Sequence, residues 1–212
     1  MLLLLDFDGT ITERDTLDLL AREYAPAAFA AAEERLQSGR WTLNEVIRHE
    51  FEAVHADEAD VLAFVRERVV LRPGLAELVD LCRERFIEAV VVSAGFHEVI
   101  EPVLAWHGVA LPVVAHHATF TRDGAIVSFR ERPVCAHCGE QCKRSALSAL
   151  ARGRLVAYAG DGWSDRCGAR AADLVFARAG LAEHLAAEGV PYTPFDDLYD
   201  VRAGLARFLS PA

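Results

Sequence analysis

Met1-Leu2-Leu3-Leu4-Leu5-Asp6-Phe7-Asp8-Gly9-Thr10 opens the chain. An apolar run this short and unbroken reads as a strand covered on both faces. Two carboxylates follow it two residues apart. If the extended backbone persists through Phe7, both point the same way, because strand side chains alternate faces. Like charges held that close repel unless a cation or a proton separates them. Gly9 then lets the chain turn away, and Thr10 adds a hydroxyl at the same end. An ordinary Asp-Gly turn would explain the glycine. It would not explain the full D-x-D-G-T pattern behind a buried strand.

Outward from that strand, helical and strand periods alternate, which implies a βαβ architecture. Further strands are expected at 87–93, 155–159 and 174–177, most of them continuous apolar runs. Leu75, Leu78, Val79 and Cys82 lie at helical spacing ahead of the second strand, which makes Cys82 a core residue. A βαβ unit takes roughly 30 residues, and the distance from Asp8 to Val90 is far longer. The excess reads as helices. Thr42-Leu43-Asn44-Glu45 is a capping box for a helix with Leu43, Val46, Ile47, Phe51 and Val54 on one face, and Asp57 caps the next. Arg72-Pro73-Gly74 ends the insert. The expected fold is a doubly wound, mostly parallel α/β sheet of Rossmann-like type with an inserted helical cap. Its core spans 1–15 and 73–212, and its cap spans 16–72 above the first βα loop, where such sheets place ligands.

Composition narrows the function classes. The chain has 212 residues, 52% of them hydrophobic and 25% charged, an ordinary globular balance. A formal net charge of −10 argues against nucleic acid and anionic membrane as partners. The apolar start is too short for a signal peptide or a membrane span. The expected location is therefore the cytoplasm, with a monomer or homodimer as the assembly. Lys143 is the one lysine among 22 basic residues, consistent either with a chance surface residue or with a site that needs a compact ammonium.

Three more sites fall where a parallel sheet would bring them beside Asp6 and Asp8. Ser93-Ala94-Gly95 ends the second strand with a hydroxyl and a flexible glycine. Lys143 opens a helix, whose N-terminus attracts anions. Asp161 and Asp165 follow the strand at 155–159 and share a face if a helix starts there. Each has a plain use as a cap or turn residue. Together they describe a phosphoryl-transfer site. Clustered carboxylates call for a hard cation such as Mg²⁺. That ion, Lys143, Ser93 and backbone N–H groups would gather the charge needed to hold a phosphate. One aspartate can attack phosphorus and the other can move protons, and physics alone leaves their order open.

In these four motifs the chain resembles the haloacid dehalogenase superfamily of phosphatases, over nearly its whole length. The resemblance implies Asp6 as nucleophile and Asp8 as general acid/base. It implies Mg²⁺ held by Asp6, the Asp8 main-chain carbonyl and Asp161, with Asp165 supporting from nearby, and phosphoryl binding by Ser93 and Lys143. Gly9, Thr10, Ala94 and Gly95 would line the substrate, with Glu13 and Asp15 at the cap linker. A helical cap between the first two motifs is the arrangement of the phosphoserine phosphatase-like branch. Cys135-Ala136-His137-Cys138-Gly139-Glu140-Gln141-Cys142-Lys143 is similar to both the methionine-salvage and the phosphoethanolamine/phosphocholine phosphatases. Ala115-His116-His117-Ala118 resembles the former group, and Ser93-Ala94-Gly95-Phe96 the phosphoserine phosphatases. The expected activity is hydrolysis of a small phosphorylated metabolite, of methionine-salvage type, with phosphoserine, phosphoethanolamine or phosphocholine as the other substrates. A phosphotransferase and an idle phosphate-binding regulator are the rival functions. Cys135, Cys138, Cys142 and Cys167 are expected to converge, because Lys143 and Asp165 should. They form a Zn²⁺ site, with His137 as an alternative ligand, or else a set of reduced thiols. Disulfides rank behind both in a cytosolic chain.

Overall fold

The computed structural model describes residues 1–131, 133–139 and 142–210. The first strand, β1 (Leu2–Leu5), lies near the middle of a seven-stranded sheet of order β4-β3-β2-β1-β5-β6-β7. The other strands are β2 (Glu88–Phe96), β3 (Val113–Thr119), β4 (Ile126–Ser128), β5 (Val156–Gly160), β6 (Leu174–Ala177) and β7 (Thr193–Pro194). All pairings are parallel except β3 with β4. The chain builds outward from β1 through β2 to β3, then returns to β5 on its other side. The order therefore reverses at β1, the position where open parallel sheets bind ligands.

Leu2 to Leu5 are all fully buried, and their alternation assigns them to two cores. Leu3 and Leu5 pack with α5 (Leu75–Glu84), α6 (His97–Trp106) and α10 (Leu198–Leu209). Leu2 and Leu4 pack with α7 (Lys143–Ala151), α8 (Arg166–Ala169) and α9 (Ala179–Ala187). A strand covered on both faces has no polar alternation, which is why the run is pure leucine.

Four helices separate β1 from α5: α1 (Thr16–Tyr24), α2 (Pro26–Gln37), α3 (Leu43–Glu52) and α4 (Glu58–Arg68). The capping box at α3 is present, with Thr42 Oγ1 accepting from Glu45 N and Glu45 Oε2 accepting from Thr42 N at 2.7 Å. Asp57 caps α4 by accepting from Asp60 N. Among the described residues no helix is long and apolar enough to cross a membrane.

Three expectations shift. The first strand stops at Leu5, before Asp6 and Asp8, and the second runs on to Phe96 through a register irregularity after Val92. No regular α-helix begins at Asp161; Asp165 instead closes a single 3₁₀ turn, Trp163–Asp165. β3, β4 and β7 add strands that the apolar pattern did not announce.

Candidate active site

The register of the sheet assembles the site. Leu5 pairs with Val91 on β2 and with Ala159 on β5. Asp6 and Asp161, just past β1 and β5, and Ser93, still within β2, therefore lie on three neighbouring strand paths at nearly the same level. Beyond Leu5 the chain coils: the N–H groups of Thr10, Ile11 and Thr12 all donate to Phe7 O at 2.9–3.3 Å. This turn, and not a continued strand, carries Asp8 back toward Ser93. Gly9 has φ +73°, and a Cβ there would sit 2.1 Å from Asp161 Oδ2, so only glycine lets the two loops meet. At Gly95 a Cβ would lie 3.2 Å from both Asp8 Oδ2 and Ser93 Oγ.

Asp6 is buried, and its carboxylate accepts from Lys143 Nζ and, at 3.2 Å, from the Thr10 hydroxyl. Lys143 is equally buried at the N-terminus of α7 and donates a second bond to Asp165 Oδ1 at 2.7 Å. Asp8 faces the same space. Its Oδ1 accepts from the Thr16 N–H at 2.8 Å and from the Thr16 hydroxyl, and its Oδ2 from Ser93 Oγ at 3.3 Å. Ser93 Oγ in turn accepts from Gly95 N at 2.8 Å, which fixes the end of β2.

Asp165 is fully enclosed and fully used: Oδ1 takes Lys143 and the Tyr158 hydroxyl at 2.6 Å, and Oδ2 takes the N–H groups of Asp161 and Gly162. It shapes the loop that presents Asp161.

Electrostatics test whether the site suits a cation. Burial, and then nearby Asp165, push the Asp6 carboxyl well above the usual range, with Lys143 pulling the other way. Burial and Asp165 likewise raise Asp161, to about 6. Burial alone would lower Lys143, but Asp165 and Asp6 outweigh it and raise the ammonium. One ammonium thus faces more carboxylate charge than it can balance. Oxygens of Asp6, Asp161 and Asp165 lie within 4.8 Å of one another. Hard oxygens at this spacing, with net negative charge, fit Mg²⁺.

The other expected residues divide. Thr10 serves Asp6, and the Gly9 carbonyl accepts from Arg72 at 2.9 Å and Arg178 at 3.0 Å. Ala94 lines a cleft of about 530 Å³ together with Ser93, Lys143, Leu43, Asn44 and Trp163. Glu13 is exposed, and Asp15 is the N-cap of α1, accepting from Asp18 N. Both lie in the linker to α1, and Asp15 is near enough to the site that, after burial, the charges of Asp8, Asp18 and Asp161 push its carboxyl up. Thr16, which opens the inserted helices, proves to hold Asp8, while the roles of Arg72 and Tyr158 are ones that sequence reasoning did not assign. Buried Arg72 ties the carbonyls of Gly9, Thr10 and Thr12 together and also reaches Asp196 O. Arg72 does have a sequence signal, as a charged residue at the end of the inserted helices.

The sulfurs of Cys135, Cys138, Cys142 and Cys167 also converge, all within 4.8 Å of one another. His137 is exposed and is not in that group. Glu140 and Gln141 lie outside the described residues.

Residues 3–170 match the family of haloacid dehalogenase-like hydrolases. The chain belongs to this family. It is 29% identical over 208 residues to a 2-hydroxy-3-keto-5-methylthiopentenyl-1-phosphate phosphatase of Brevibacillus brevis, covering 95% of this chain and 93% of that one. The corresponding protein of Microcystis aeruginosa is 31% identical over 204 residues, covering 93% of each chain. A solved phosphoserine phosphatase carrying a phospho-aspartyl intermediate analogue superposes with a TM-score of 0.72 at 20% identity, covering 99% of this chain and 98% of that one. The haloacid dehalogenase-like chain is thus a phosphatase, an enzyme that hydrolyses phosphomonoesters.

Proposed function

We propose that this chain hydrolyses a methionine-salvage phosphoester, 2-hydroxy-3-keto-5-methylthiopentenyl-1-phosphate, through an aspartyl phosphate on Asp6 with Mg²⁺ as cofactor. The observation that carries the chemistry is the buried contact of Lys143 with Asp6 and Asp165 at the head of an open cleft. The substrate class rests on the relatives that share nearly the full length.

Asp6, Asp161 and the Asp8 carbonyl would hold Mg²⁺, with Asp165 supporting them. The ion supplies charge stabilisation to the phosphoryl oxygens. Asp6 attacks phosphorus, and Asp8 donates a proton to the departing alcohol oxygen. Thr16 and Ser93 orient Asp8 for this step. In the second half Asp8 takes a proton from water, whose oxygen attacks phosphorus and frees Asp6. Lys143 and Ser93 hold the phosphoryl oxygens throughout, a preorganised cation and hydroxyl that need no rearrangement as charge moves.

Helices α1–α4, within residues 16–72, act as the cap over a core of 1–15 and 73–212. Leu43 and Asn44 of α3 line the same cleft as Ser93 and Lys143, so cap position sets the room left for the substrate. Leu43, Val134 and Trp163 give the walls an apolar character suited to a methylthio chain. The zinc alternative at the four cysteines completes the cofactor set. Phosphate release from a panel of the methionine-salvage ester, phosphoserine, phosphoethanolamine and phosphocholine tests the assignment. The first should show the highest kcat/KM, and a clear preference for any other would replace it.

A further inference from the structure

The run from 129 to 142 joins β4 to α7, and among its described residues the only local order is a turn at 136–138. Such a stretch needs a staple to hold position. Four sulfurs supply the ligands for one. Cys135 precedes the turn and Cys138 is its last residue. His137 N donates to Cys135 Sγ at 3.5 Å, and Gly139 N donates to Cys135 O at 2.8 Å. Cys142 is the N-cap residue of α7, directly before Lys143. Cys167 belongs to α8, two residues past Asp165.

Cys135 Sγ and Cys167 Sγ are 3.6 Å apart, and none of the four cysteines is in a disulfide. A disulfide would need about 2.05 Å. Tetrahedral Zn²⁺ with Zn–S bonds of about 2.3 Å puts its sulfurs about 3.8 Å apart. The Cys135–Cys167 separation matches one edge of such an S₄ cage, the other sulfurs lie within 4.8 Å, and soft thiolates select zinc over Mg²⁺.

We propose that Cys135, Cys138, Cys142 and Cys167 bind a structural Zn²⁺ that ties the Lys143 end of α7 to the Asp165 loop, and so positions Lys143. The ion replaces the thiol protons, which are released to solvent. Two of its ligands adjoin the ion pair in sequence, Cys142 directly before Lys143 and Cys167 two residues past Asp165, and Lys143 and Asp165 contact each other at 2.7 Å, so the staple and the buried ion pair brace the same junction. The effect on Lys143 rests on its reading as the phosphate clamp; the metal site does not.

Protein purified without added zinc should contain one zinc per chain by plasma mass spectrometry. Thiol titration should detect the four cysteines only after a strong chelator is added. Zinc below about half an equivalent, or iron in its place, would overturn the site. Cys138→Ser should lose zinc and weaken inorganic phosphate binding to the Mg²⁺-loaded protein by about tenfold, read by calorimetry. Wild-type protein stripped with a thiol-directed chelator makes the same comparison without a substitution. Zinc loss with unchanged phosphate affinity would overturn the positioning role. Zinc content is measured without substrate, so its outcome is independent of whether the chain is a phosphatase.

Discussion

Lys143 sits between two buried carboxylates, and each contact matters to stability as well as to chemistry. Removing one partner of a buried ion pair leaves an uncompensated charge and typically costs about 3–5 kcal/mol. Lys143→Met should show a loss of that order in denaturant unfolding. Lys143→Arg keeps the charge but brings a planar fork into a space shaped for an ammonium; kcat/KM should fall by about 10²–10³-fold, the usual penalty for a displaced charge-stabilising donor. Asp6→Asn removes the nucleophile while keeping the shape. It should abolish phosphate release and leave the circular dichroism spectrum unchanged; near-native turnover would refute the aspartyl-phosphate route. The residues behind these predictions were legible because each pairs a polar group with the end of an apolar strand or the start of a helix. Arg72 and Tyr158 were not. Their partners are backbone carbonyls and a carboxylate brought in by the fold, so the position of Arg72 at the end of the insert and of Tyr158 in a strand did not reveal what each would bind.

Among the elements, β1 ties sequence to fold most directly. Leu4 is fully buried in the face that packs on α7 and α9, and Leu4→Ala should cost about 2–5 kcal/mol by equilibrium unfolding, with cavity formation adding to lost transfer energy. Helix α5 was placed by its period alone, and Cys82 does lie in its core. Burial pushes the Cys82 thiol up to about 11. Little thiolate therefore exists at pH 8, and iodoacetamide should leave Cys82 unmodified until the chain unfolds, as mass spectrometry of peptides would show. β3 escaped the apolar reading because His116 and His117 interrupt its run. His116 is nevertheless buried, with its Nδ1 accepting from Arg130 N at 3.0 Å. β4 and β7 are too short to carry any periodicity.

For the whole molecule, the sheet supplies the reacting groups and the inserted helices supply one wall of the cleft, so chemistry and selectivity should respond to different substitutions. Chelating Mg²⁺ acts on the first: activity should vanish with EDTA and return with added Mg²⁺, because the carboxylates of Asp6 and Asp161 would otherwise face too little positive charge. Enlarging Leu43 acts on the second. This side chain begins α3 behind an intact capping box and lines the same cleft as Lys143, so a larger residue there narrows the cleft while leaving Asp6, Asp8 and Ser93 in place. Leu43→Trp should raise KM for the methylthiopentenyl ester several-fold, in line with the roughly 1–3 kcal/mol that a changed apolar contact is worth. Its kcat should stay near the wild-type value, and inhibition by inorganic phosphate, which needs only the floor of the cleft, should not change. If kcat fell with KM unchanged, α3 would be shaping the reacting groups and not the space above them, and the division of labour between sheet and inserted helices would fail.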